Sequence, residues 1–202
     1  MIQDIYPHIY NNTFDPGVKP SNDDIIFSFE EDQVLMKDEH QFYHYHDISK
    51  ESVCYYLFSI DNIKFFLADL TSLNHIKVSF RKMRTFEDQM LGFAAITAWH
   101  LYRWIQDNKY CGKCGHPMDF DKKERAMRCP HCSNIVYPKI SPAVIVGITN
   151  DNGQILVTKY AHGHYQSYAL VAGYYEIGET IEETVKREVK EETGLDVTDI
   201  QY

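Results

Sequence analysis

The spacing of hydrophobic and polar positions changes character four times between Ile25 and the last helix. Between Ile25 and Phe80 it is strand-like. Residues 53–60 and 63–68 are dense in Tyr, Phe, Ile and Val, with Asp61-Asn62 between them as a two-residue hairpin turn. Residues 85–107 then place Leu91, Ala94, Ala95, Ala98, Leu101, Tyr102 and Ile105 on one stripe, which predicts a helix, with Thr85 and Asp88 resembling a capping box at its start. Residues 110–138 break this period with Gly, Pro and Cys. Strand-like runs return at 143–149, 154–159 and 168–172, the first two joined by an Asp151-Asn152-Gly153 turn. A loop over 173–179 leads to a last helix from Thr180, where Thr180 and Glu183 form a capping box and Gly194 supplies the stop. The first 24 residues are turn-rich and predict no regular element. The order predicts an α+β protein with divisions at 1–108, 109–139 and 140–202.

Composition narrows the function classes. The chain has 202 residues, 44% hydrophobic and 24% charged, which suits a folded core and argues against disorder. Its formal charge of −9 has the wrong sign for coating nucleic acid, whereas an excess of carboxylates is compatible with divalent-metal chemistry. The opening residues carry neither a basic nor an apolar leader region, and no apolar run is long enough to cross a bilayer, so a cytoplasmic location is expected.

Four of the five cysteines fall in one window as Cys111-x-x-Cys114 and Cys129-x-x-Cys132; Cys54 lies in an apolar run. Each C-x-x-C turn can aim two sulfurs at one centre, and two turns supply the tetrahedral set that zinc accepts. With all four positions filled by sulfur, the zinc is expected to be structural. His116 and His131 stand nearby as surface groups rather than ligands.

The second chemical signal is the helix after Thr180. Glu188, Glu191 and Glu192 are spaced to share one face, while Ile181, Val185 and Val189 form a separate apolar stripe. Clustered carboxylates repel each other unless a cation compensates. Acids at the start of a helix are ordinary, which accounts for Glu182 and Glu183, but Glu191 and Glu192 sit at the end where the helix dipole disfavours anions. That placement favours a divalent-cation site over a merely solvated face.

The segment from Gly173 to Leu195 resembles the Nudix box, G-x5-E-x7-R-E-U-x-E-E-x-G-U with U aliphatic. Gly173, Glu179, Arg187, Glu188, Val189, Glu191, Glu192, Gly194 and Leu195 match all its fixed positions. The two cysteine pairs just before it, with Tyr137-Pro138, Ala172 and an aromatic at 174, resemble the NADH pyrophosphatase branch of that superfamily, also described as NAD-cap RNA hydrolases. The resemblance implies the first part of a Nudix α/β/α sandwich behind an N-terminal mixed domain and a zinc ribbon. It also implies a homodimer that hydrolyses NAD(H) to nicotinamide mononucleotide and AMP and can act on NAD-capped RNA. Under it, Glu188 and Glu192 ligate Mg²⁺ or Mn²⁺ and the Ala172 carbonyl adds a ligand. Glu191 is a further ligand or the base for water. Arg187 orients the carboxylates, Glu179 supports the loop–helix junction and Tyr174 stacks on a base. Glu124 and Tyr137 touch substrate, as does one of Arg81 and Arg84.

Rival readings are a Nudix hydrolase for ADP-ribose or a dinucleotide polyphosphate, and a noncatalytic zinc-ribbon module. Intact carboxylates disfavour the module. No G-x-G-x-x-G supports hydride transfer. His40, His44 and His46 read as surface groups of an edge strand, and His162-Gly163-His164 as a solvated loop. In the family the domain continues past the box, with further strands, a helix and another metal-binding glutamate. The chain is therefore expected to be a fragment with poor turnover by itself, leaving Val144, Ile145, Val146 and Val171 incompletely covered.

Overall fold

The structure, a computed structural model, describes residues 2–161 and 167–202, so the His162-Gly163-His164 motif lies outside the described residues. The chain divides into two compact units, Met1–Pro138 and Lys139–Tyr202.

The first unit is built on a five-stranded sheet in the order Tyr10–Asn11, Tyr55–Ile60, Ile63–Leu67, Ile25–Phe27, Tyr43–His44. Its hairpin turns at Asp61-Asn62 with Ile60 opposite Ile63, and Asp61 takes the left-handed conformation (φ 52°) that an Asp tolerates in a tight turn. Only the pairing of Ile25–Phe27 with Ile63–Leu67 is parallel. A second sheet pairs Phe29–Glu30, Gln33–Met36 and Ile76–Ser79. Helix α1, Gln89–Asp107, covers the core with Ala94, Ala95 and Ala98, all fully buried; Leu91, Leu101, Tyr102 and Ile105 flank them. Small alanines let the helix axis approach Phe27, Phe58 and Phe65, which are also fully buried and contribute roughly 1.5–3 kcal/mol each.

The start of α1 differs from the expected one. Thr85 ends a 3₁₀ turn, Phe80–Thr85, and its hydroxyl donates to the Lys82 carbonyl. Asp88 caps the helix, accepting from the Leu91 backbone N–H at 3.0 Å. As the N-cap, the Asp88 side chain satisfies one of the four orphaned N–H groups of the first turn, that of Leu91. Among the described residues, no helix is long and apolar enough to cross a membrane.

The cysteine window ends the first unit as a small sheet of Asp119–Phe120, Met127–Arg128 and Ile135–Val136. Trp104, Met118 and Met127 pack against its buried sulfurs.

In the second unit, Ala143–Val146 pairs antiparallel with Val171–Tyr174, placing Val144 opposite Gly173 and Ile145 opposite Ala172. The apolar run over 143–149 is broken at Gly147, and its continuation, Ile148–Thr149, pairs with Ile155–Leu156. The third strand starts at Val171 rather than at 168 and extends to Tyr174, because Tyr175 N–H donates to the Pro142 carbonyl and prolongs the ladder. Helix α2, Ile181–Thr193, has the expected capping box and ends at Gly194, left-handed at φ 75°. Val185 and Val189 on α2 cover Val144 and Val171, so these two valines are buried, contrary to expectation, whereas Ile145 is 75% exposed because it points to the other face. Ile181, expected on the buried stripe, is exposed at the first turn.

Candidate functional site

Two constellations carry chemistry, one in each unit. In the first, the backbone folds both C-x-x-C turns tightly: Gly115 N–H donates to the Cys111 carbonyl, and Ser133 N–H to that of Cys129. The four sulfurs converge. Cys111 and Cys132 lie 3.6 Å apart and Cys114 and Cys129 3.5 Å apart, with Cys111 and Cys129 buried. A tetrahedron around zinc, about 2.3 Å from each sulfur, has edges of about 3.8 Å, so the set fits that ion closely. The thiols have unequal acidities. Burial raises Cys111, but the N–H groups of Lys113 and Cys114 and the neighbouring thiols outweigh it and lower it. Cys129 is lowered as well, first by the Cys132 N–H. Cys114 ends up raised, because burial and its three sulfur neighbours outweigh the His116 N–H. Four thiolates in one place repel each other, and a divalent cation removes that repulsion. His116 and His131 are exposed, as expected, and stack face to face with ring centroids 3.8 Å apart.

Just beyond, Glu124 accepts a hydrogen bond of 2.5 Å from the Tyr137 hydroxyl, which raises the phenol pKa. The turn bearing Glu124 is held by Asp121, a residue the sequence reading passed over. Its buried carboxylate accepts from the N–H groups of Lys123 and Glu124 and from Arg128 Nε, which lower it to about 2. The signal was an Asp two residues ahead of Lys123, the spacing of an Asx turn. Arg81 and Arg84 both lie exposed on the 3₁₀ turn Phe80–Thr85.

In the second unit, α2 brings Arg187 to the centre of the box. Nε and one terminal nitrogen clamp Glu179 at 2.6 and 2.9 Å, and that nitrogen also donates to the Tyr174 carbonyl at 3.0 Å. The other terminal nitrogen reaches Glu188 at 2.7 Å and Glu191 at 3.3 Å. A planar fork with donors on two edges can do this, and a lysine could not. Thr184, fully buried, adds a hydroxyl donor to Glu179 at 2.9 Å. Arg187 first, then Thr184, holds the Glu179 carboxyl down at about 2.

That value fixes a pH dependence. Glu179 ionises near 4.5 without its partners and near 2 with them, so its clamp is fully present above about pH 4.5 and is lost as pH falls toward 2. The gap in thermal midpoint between the parent and Glu179→Gln is therefore expected to be constant above pH 5 and to close on acidification. A gap independent of pH would contradict the clamp.

Glu188 rests on Gly173. A Cβ on that glycine would lie 1.9 Å from the Glu188 carboxyl carbon. The bare Cα is thus the seat of the carboxylate, a role that matching the box did not reveal. Gly173→Ala is expected to fold, since only the tip of a side chain must move, but to weaken divalent-metal affinity by about 10–100-fold, as when a group that orients a ligand is lost. Calorimetric titration with Mn²⁺ checks this; unchanged affinity would sink the idea.

The three glutamates do not form a closed cage. Among the described residues, groups of three or more His, Cys, Asp or Glu ligand atoms converge only in the cysteine window. Glu188 is mostly covered, while Glu191 and Glu192 open to solvent, and Ala172 is exposed on the strand beside them. Hard divalent ions of the magnesium type keep several waters and need only one or two protein carboxylates, so this open set fits them. The Tyr174 ring is exposed.

Comparison with known proteins adds the deciding observation: residues 139–202 match the NUDIX domain, and residues 106–137 match the NADH pyrophosphatase zinc ribbon domain. Residues 139–202 thus resemble a Nudix domain, and in sequence they follow a segment that resembles such a zinc ribbon. Similar proteins include the NAD-capped RNA hydrolase NudC of Klebsiella pneumoniae, 41% identical over 102 residues that make up 50% of this chain and 39% of the relative. The protein of the same name from Salmonella typhi is 36% identical over 132 residues, 64% of this chain and 51% of the relative. The chain thus spans about half or less of these relatives. Within residues 139–202, the stretch that matches the NUDIX domain, Arg187 ties Glu179, Glu188 and Glu191 into one hydrogen-bonded unit.

Proposed function

We propose that the protein hydrolyses the pyrophosphate of NAD(H) to nicotinamide mononucleotide and AMP, and removes NAD caps from RNA, as a cytoplasmic homodimer. The observation that carries this reading is the box with every carboxylate in place, organised by Arg187, in a chain that also holds a zinc ribbon of the NADH pyrophosphatase type. Relatives named for NAD-capped RNA hydrolysis support the substrate class.

Glu188, Glu192 and the Ala172 carbonyl would hold Mg²⁺ or Mn²⁺, which supplies neutralisation of phosphate charge and acidification of water. Glu188 is fixed for this by Arg187 on one side and Gly173 on the other. Glu191, 61% exposed and only loosely held by Arg187, is free to act as a further ligand or to accept the proton of the attacking water. Tyr174 offers an exposed ring for stacking on a base, and the Glu124–Tyr137 pair a polar contact to substrate. One of Arg81 and Arg84 adds a positive charge.

Incubating the whole protein with NADH, ADP-ribose and NAD-capped RNA in parallel, with product quantification, tests the proposal. Reduced nicotinamide mononucleotide and AMP from NADH, and 5′-monophosphate RNA from the capped substrate, are expected. Preferential cleavage of ADP-ribose would overturn it.

A further inference from the structure

We propose a second transition-metal site on the outer face of the zinc ribbon, formed by His116, His131 and the thiolate of Cys114. It rests on the reading of the four-sulfur centre as a zinc site, and extends it.

Three observations converge. The ligand atoms of Cys114, His116 and His131 all lie within 4.8 Å of one another. This is the reach of a single ion after small side-chain movements, given metal–nitrogen and metal–sulfur bonds of about 2.0–2.3 Å. His116 already has the tautomer of a ligand. Its Nδ1 lies 3.1 Å from the Cys114 carbonyl, an acceptor only, so Nδ1 carries the proton and Nε2 keeps its lone pair. Both imidazoles are exposed and lie nearly parallel, 3° apart, so turning them toward a common ion costs their stack and strains the His116 Nδ1 hydrogen bond, with no packed core to displace.

Charge supplies the reason for a cation there. A zinc ion held by four thiolates leaves the cluster with two negative charges in excess. Cys114 is one of the two sulfurs that are only partly buried, and a thiolate bound to one ion retains lone pairs for a second. A bridging sulfur with two imidazoles and a water makes a set that suits zinc, cobalt or nickel and disfavours magnesium. Its water position opens to solvent, unlike the closed inner centre, so the outer ion is expected to bind more weakly and to exchange.

The test uses the chain with Glu188, Glu191 and Glu192 all changed to Gln, which removes the carboxylate helix as a competing zinc binder. Zn²⁺ is titrated against a chromophoric chelator, and the ring ¹⁵N shifts of the histidines are followed. Two equivalents are expected, the second shifting His116 and His131 and binding at least tenfold more weakly than the first. Adding His116→Gln and His131→Gln should leave one equivalent; these side chains are exposed, so the fold is unaffected. A single equivalent in both proteins, or a second that survives the double change, overturns the outer site while leaving the inner one standing. No bound equivalent at all overturns both.

Discussion

Glu188→Gln is expected to lower hydrolysis of NADH by the whole protein by a factor of about 10²–10³ or more while the fold survives. The substitution keeps the shape of a side chain that sits on Gly173 and touches Arg187, so packing is unchanged. What disappears is one negative charge at the most enclosed of the three helix glutamates Glu188, Glu191 and Glu192 (14% exposed), where a divalent ion would gain most from it. Losing a preorganised electrostatic partner of the reacting group costs about 10²–10³ in other enzymes. Glu182→Lys is the control. Glu182 lies in the first turn of the same helix and accepts from the Tyr202 hydroxyl, away from Arg187. Its replacement should change the rate less than about threefold. Steady-state kinetics with Mn²⁺ and circular dichroism on both variants decide the matter; equal losses would mean the carboxylates are not specialised.

Cys129→Ser is expected to abolish stoichiometric zinc and to unfold the ribbon. Cys129 is fully buried, pairs with Cys114 at 3.5 Å, and belongs to the cluster on which Trp104, Met118 and Met127 pack. Little else there could form a core: the ribbon's strands are two residues each, and Asp119 and Phe120 are both exposed. Zinc-finger peptides draw about 10–16 kcal/mol of apparent binding energy from their ion, and without it they do not fold. Elemental analysis should find less than a tenth of the parental zinc, with a drop in thermal midpoint of the first unit. A zinc-free Cys129→Ser protein of parental stability would refute the structural role.

The parts legible in the sequence were those written in local chemistry. The cysteine pairs announced their centre because a C-x-x-C turn sets the distance between its two sulfurs whatever surrounds it. The capping box of Thr180 and Glu183, the stop at Gly194 and the hairpin at Asp61-Asn62 are likewise decided within a few residues. The Nudix box was readable as a pattern for the same reason: a helix puts residues three and four apart on one face.

Tertiary structure decided the rest. Whether Asp88 or Thr85 caps α1 depended on a 3₁₀ turn that periodicity does not encode. Which valines are covered depended on the side of the strand that α2 takes, so Val144 and Val171 are buried while Ile145 is open. The spacing of three glutamates suggested one shared cluster, yet Arg187 draws Glu188 toward Glu179 and leaves Glu191 and Glu192 open to solvent, because a guanidinium fork can bind several carboxylates at once. The seat of Glu188 on Gly173 is a contact between residues fifteen apart, on a strand and a helix. Local sequence determined which groups are present and which way each turn bends; only packing determined which of them meet, since that depends on distances no single segment controls.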